Sequence, residues 1–167
     1  GNAAAATQIA MFLRKTTSGG VLMASAVAER GTDVLHPNTA LTEHADGWRI
    51  SGRKMFATLV PIAEVLHVPC SFENQQGLRQ FAVATVPVDA HGVTVNDDWD
   101  AMGMKASGSH SVEFDNTPLT HAAVALLGPW GAWSEAYLLG EVVITLGLVA
   151  AFLGIAESAH ELVLEAL

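Results

Sequence analysis

The chain has 167 residues, half of them hydrophobic and 15% charged, with 17 acidic against 8 basic side chains and a formal charge of −9. That is ample apolar material for a packed core and argues against disorder, while the shortage of bases and of any basic patch disfavours nucleic acid as a partner. The single cysteine, Cys70, allows neither an internal disulfide nor a thiolate metal cluster, and this cysteine usage points to the cytoplasm.

In chain order, residues 1–18 are Ala-rich, with Ile9, Met11 and Phe12 set among polar residues. They read as the tail of a helix closed by Ser18-Gly19-Gly20. No basic region precedes an apolar run there, so the start is not a signal peptide. Residues 21–27 are apolar or small and read as a first strand. Residues 38–44 and 48–56 flank Ala45-Asp46-Gly47, a hairpin signal. Further short strands are expected at 64–72, 79–86, 93–96 and 110–115, with turns at 73–77, 88–92 and 97–103. In the last strand His110, Val112 and Phe114 alternate with Ser111, Glu113 and Asp115. Short strands at this spacing predict an antiparallel sandwich or barrel.

Residues 130–167 read as helical. The stretch 142–156 is almost wholly apolar, but it runs for about 15 residues where a membrane helix needs roughly 20. It is therefore expected to be a buried helix, at a subunit interface, and not a membrane span. Residues 156–167 are amphipathic, with Glu157, His160, Glu161 and Glu165 on one side. The predicted class is α+β: a central β-domain over 20–122, the end of one helical domain over 1–19, and the start of another over 123–167. Both ends fall inside helical patterns without caps, so the chain is expected to be a piece of a longer protein.

Three segments carry candidate chemistry. At residues 26–33 a strand runs into a turn, Glu29-Arg30-Gly31-Thr32-Asp33, whose backbone N–H groups and Thr32 hydroxyl suit an anion. An ordinary strand exit has the same pattern. At residues 48–58 a strand bends at Ser51-Gly52 and continues to Phe56 and Thr58. An aromatic there can cover a flat ring, and a hydroxyl two residues on can reach the ring's edge. A core Phe and a solvated Thr fit the pattern equally. At residues 103–109, Gly103, Ser107, Gly108 and Ser109 make a hydroxyl-rich loop or a plain connection. The seven histidines show no i, i+4 metal spacing. His110 reads as a hydrogen-bonded strand residue and not as a catalyst. Hydrolase elbow, P-loop and Rossmann glycine signatures are absent.

Taken in order, these segments resemble the acyl-CoA dehydrogenase family of flavoproteins. Residues 98–119, with Met102-Gly103-Met104-Lys105-Ala106-Ser107 ahead of Phe114-Asp115, resemble the family's Gly-Met-Arg-x-Ser…Phe-Asp signature. Ala28-Glu29-Arg30-Gly31-Thr32-Asp33 resembles a shortened Thr-Glu-Pro-Gly-Ala-Gly-Ser-Asp loop. Residues 48–58 resemble Gly-Tyr-x-Ile-Asn-Gly-x-Lys-x-Trp-Ile-Thr-Asn. Here Ala28 stands for the first Thr, Arg30 for Pro, Phe56 for Trp, and Leu59 for the final Asn.

The resemblance implies a middle β-domain holding the flavin of FAD through Ala26, Ala28, Thr32, Phe56, Ala57 and Thr58, with Thr32 also touching an acyl-CoA substrate. It implies α,β-dehydrogenation with hydride transfer to flavin N5, an electron acceptor such as an electron-transfer flavoprotein, and a homodimer or homotetramer. The family's base is a Glu on the C-terminal helices. None of Glu135, Glu141, Glu157, Glu161 and Glu165 matches its place, so no catalytic residue is assigned. Two other readings stay open: a flavin-dependent monooxygenase of the same fold, and a β-domain that only binds or assembles.

Overall fold

A computed structural model describes residues 20–132 and 135–166. The helix tail expected at 1–18 lies outside them. The chain divides into two compact units, one up to Ala132 and one from Trp133 onward.

Eight strands of the first unit form one sheet among the described residues. They are β1 (Met23–Ser25), β2 (Ala40–His44), β3 (Gly47–Ala57), β4 (Val65–Glu73), β5 (Arg79–Pro87), β6 (Val93–Val95), β7 (His110–Leu119) and β8 (Val124–Pro129). The order is β6-β7-β3-β2-β4-β5-β8, with β1 added beside β4. β6 and β8 are ends, so the sheet is open and no barrel closes.

The sheet is also mixed, which corrects the all-antiparallel expectation. β1 and β2 both run parallel to β4: Met23–Ser25 lie against Val65–His67, and Ala40 and Leu41 lie against Ser71 and Phe72. Short parallel ladders of two and three residues leave no periodicity of their own in a sequence, and the hairpin-like spacing of the turns hides them. Between these ladders the chain leaves the sheet at Ala26, whose N–H donates to His67 O at 2.9 Å, and returns at Thr39, whose carbonyl accepts from Ser71 N at 2.9 Å.

The β2–β3 hairpin forms where Ala45-Asp46-Gly47 predicts it, closing at His44 opposite Gly47. Gly47 is required: a Cβ there would lie 2.1 Å from Leu119 O. β8 was not expected from sequence. Its residues Val124 to Pro129 are Val-Ala-Leu-Leu-Gly-Pro, a run that fits either element type.

The core gathers Leu41, Trp48 and Ile50 from β2 and β3, Leu66, Val68 and Cys70 from β4, Ala82, Ala84 and Val86 from β5, and Val112, Phe114 and Leu119 from β7. Val112 and Phe114 point inward as alternation predicts. The Cys70 thiol donates to Ala82 O at 3.5 Å, and burial pushes it up to about 12.

The second unit holds one helix, α1 (Glu135–Glu165), of 31 residues. From Leu138 onward its described side chains are exposed in the single chain. Its apolar span also runs past residues 142–156. Residues 137–165 are long and apolar enough to cross a membrane by length and composition, so shortness no longer argues against a span. One such helix is weak evidence on its own.

Candidate functional site

The irregular end of β3 builds the site. β3 pairs with β7 through Lys54 opposite Val112 and then Ala57 opposite His110. Three steps on one strand meet two on the other, so one extra residue is inserted as a β-bulge. Strict alternation from Trp48 and Ile50 carries Lys54 to the inner face and would turn Ala57 outward. The bulge turns Ala57 inward as well, and both are fully buried. The displaced residue is Phe56, with φ of +58° and 58% exposure. A left-handed Phe is strained, and strain of this kind gathers at working sites.

Around Phe56 the neighbours are specific. Its ring meets Trp99 edge-on, centroids 6.2 Å apart. The Trp99 indole donates to Met104 O at 3.3 Å. His110 Nδ1 accepts the N–H groups of Asp98 and Trp99, each at 3.1 Å, which fixes that nitrogen as the acceptor and places the Trp99 backbone. His110 is thus a hydrogen-bonded strand residue, as its sequence context predicts. Asp98 accepts from Ser111 N at 2.8 Å and Ser111 Oγ at 2.5 Å. Those bonds come first in holding its carboxyl below the usual carboxylate range, with Arg53 adding its charge. Ser111 itself is buried.

Thr58 Oγ1 lies 3.0 Å from Ser109 Oγ, which lies 2.7 Å from Ser107 Oγ. A chain of three hydroxyls has one donor more than its internal bonds use, and Thr58 is its exposed end. The rim is apolar and exposed: Leu59, Ile62, Met102 and Met104. Such a rim marks a surface that something else covers.

The other sequence-derived residues fall as follows. Ala28 forms an isolated bridge with Met55, whose N–H donates to Ala28 O at 2.8 Å, so the 26–33 segment lies beside the bulge. Ala26 and Ala57 are fully buried, backbone included. The Thr32 hydroxyl turns back into its own loop and donates to His36 O. Sequence reasoning passed over Glu29, Lys54 and Trp99. Lys54 had a signal: counting by twos from Trp48 and Ile50 places a lysine on the core face.

A family profile described as "Acyl-CoA dehydrogenase, middle domain" matches residues 23–117. The chain belongs to the acyl-CoA dehydrogenase family. Within reach of it by sequence, L-evernosamine nitrososynthase of Micromonospora sp. is 36% identical over 72% of this chain and 29% of its own length. Dibenzothiophene monooxygenase of Mycolicibacterium goodii is 29% identical over 90% of this chain and 38% of its own. A solved structure of KijD3 in complex with FMN and dTDP-3-amino-2,3,6-trideoxy-4-keto-3-methyl-D-glucose superposes with a TM-score of 0.80 and 29% identity. It covers 96% of this chain and 39% of KijD3. The chain therefore spans less than half the length of each of these acyl-CoA dehydrogenase-fold relatives.

Proposed function

We propose that this chain is the middle-domain part of a flavin-dependent monooxygenase that oxidises the amino nitrogen of a nucleotide-linked amino sugar. The observation that carries the reading is the likeness to KijD3 along almost the whole chain, joined by the identity to a nitrososynthase. The residues present suit a flavin. An exposed aromatic ring at Phe56 offers a flat apolar face, and the Thr58–Ser109–Ser107 hydroxyls offer donors and acceptors to a polar ring edge. When bound, reduced flavin supplies two electrons, so that one atom of O2 enters the substrate and the other leaves as water. The chain's own part is to orient. Phe56 covers one face, the Thr58–Ser109–Ser107 hydroxyls present their one spare donor, Trp99 buttresses Phe56, and the apolar rim keeps water from the ring.

In this reading the enzyme is cytoplasmic and works as a homodimer or homotetramer, and its flavin is FMN before FAD. The runner-up keeps the acyl-CoA reaction with FAD, an acyl-CoA substrate and an electron-transfer flavoprotein. It rests on the order of the three motifs and on the family profile over residues 23–117.

The test uses the full-length protein with NADH, a flavin reductase, O2 and a dTDP-linked amino sugar. Oxygen uptake that depends on the sugar, with one oxygen atom of labelled O2 found in it, is the expected result. Anaerobic bleaching of bound flavin by an acyl-CoA, with no oxygen transfer to the sugar, would replace this reading with the dehydrogenase.

A further inference from the structure

Lys54 is fully buried, and Glu29 beside it has a side chain 5% exposed. Their charged atoms lie 2.5 Å apart. Burial pulls the Lys54 amine below its ordinary range, and Glu29 pulls it back in part. Burial also works against the Glu29 charge. The bond from Lys54 and those from the Thr39 and Asn38 amides outweigh it, so the carboxyl stays low. A buried ion pair of this kind is rarely explained by stability, since apolar replacements of similar volume often do as well.

The pair's connections give it a geometric role. The Glu29 carboxylate accepts from Asn38 N at 2.7 Å and Thr39 N at 3.0 Å, and Lys54 Nζ also donates to Val27 O at 3.3 Å. These atoms span the excursion between β1 and β2, residues 27–39. The β1–β4 ladder ends at Ser25 and the β2–β4 ladder begins at Ala40, so the sheet's regular pairing does not hold the excursion. Lys54 is also the last paired residue before the bulge that throws Phe56 outward.

We propose that Glu29 and Lys54 are positioning residues, a buried clamp that sets residues 27–39 against the β3 bulge and so fixes Ala28 and the Phe56 ring about a flat cofactor. The clamp itself stands on the contacts above, and its link to the cofactor rests on the flavin reading.

The experiment uses the full-length protein and the variants Glu29→Gln and Lys54→Met. The double variant E29L/K54M, which strands no charge, serves where a single variant does not fold. Backbone amide exchange is followed in flavin-free protein, and FMN is then titrated while the visible circular dichroism of the bound flavin is recorded. With native far-UV spectra, exchange at residues 27–39 is expected to rise by about tenfold or more while β4 and β5 keep their protection. FMN affinity is expected to fall by about tenfold or more, with an altered visible band. Unchanged exchange at 27–39, or an equal rise across β4 and β5, overturns the clamp. Loosened exchange with unchanged FMN affinity and spectrum overturns its link to the cofactor. Wild-type protein that binds neither FMN nor FAD sinks the flavin reading, and the exchange result still decides the clamp.

Discussion

β4–β5 and β3–β7 are both long antiparallel pairs in the same sheet, and they are built in opposite ways. β4 and β5 pair without interruption from Val65 opposite Pro87 to Glu73 opposite Arg79. Their inner positions are apolar, and Leu66, Val68, Ala82, Ala84 and Val86 are fully buried. β3 and β7 shift register twice, between Ile50 and Gly52 and between Lys54 and Ala57. Of the four non-glycine residues with positive φ among the described residues, Met104 lies in the loop that leads into β7, and Phe56, Leu59 and Asn116 lie in or just beside these two strands. So do the buried ion pair, the hydroxyl chain and the Asp98–Ser111 bonds. The contrast separates scaffold from working edge: where the ladder is regular the sequence serves packing, and where it breaks the sequence holds side chains out for a ligand.

The division can be broken or sharpened by mutation. The largest effect belongs to the scaffold. Leu66→Ala is expected to lower unfolding free energy by about 2–5 kcal/mol, measured by denaturant melts, while FMN affinity of the folded fraction stays as in wild type. Gly52→Ala comes next. Its backbone has φ of +150° and a Cβ would stand 2.8 Å from Thr39 Cα, so a loss of roughly 1–3 kcal/mol is expected.

Acid tests the buried carboxylate. Glu29 has a folded pKa below its ordinary 4.5, so its stabilisation is fully present above that pH and is lost as pH falls through the lowered folded value. Glu29→Gln should flatten the stability–pH curve in that window. Phe56→Gly should act in the opposite sense to Leu66→Ala and Gly52→Ala. It relieves a left-handed side chain and is expected to raise stability by about 1 kcal/mol, while FMN affinity falls by about tenfold or more. Thr58→Val is the smallest, about 0.5 kcal/mol or less in stability. Its signature would be a shifted visible spectrum of bound flavin.

Much of the fold was legible because it rests on alternation and turns. Trp48, Ile50, Val112 and Phe114 declare their inward face, and Ala45-Asp46-Gly47 marks its hairpin. The parallel ladders were not legible, since pairing partners two to three residues long are chosen by the whole sheet and not by local pattern. At the site, Phe56 and Thr58 could be singled out by type and spacing. The bulge could not: an extra residue leaves composition unchanged, and only its partner strand reveals it. The Glu29–Lys54 contact joins residues 25 apart in sequence, and no period links them. The helix over 130–167 was legible, but its apolar span was underestimated, because bounding it at residues 142–156 left out the rest of residues 137–165.

Cys70 gives the molecule a built-in reporter. Its thiol is the chain's only one, sits in the centre of β4 with no solvent access, and is held protonated far above neutral pH. Alkylating reagents attack the thiolate at an accessible sulfur, so labelling of Cys70 must wait until the β4–β5 scaffold itself opens. The rate of that single modification is a clock for scaffold opening, blind to whatever the looser edge around Phe56 is doing.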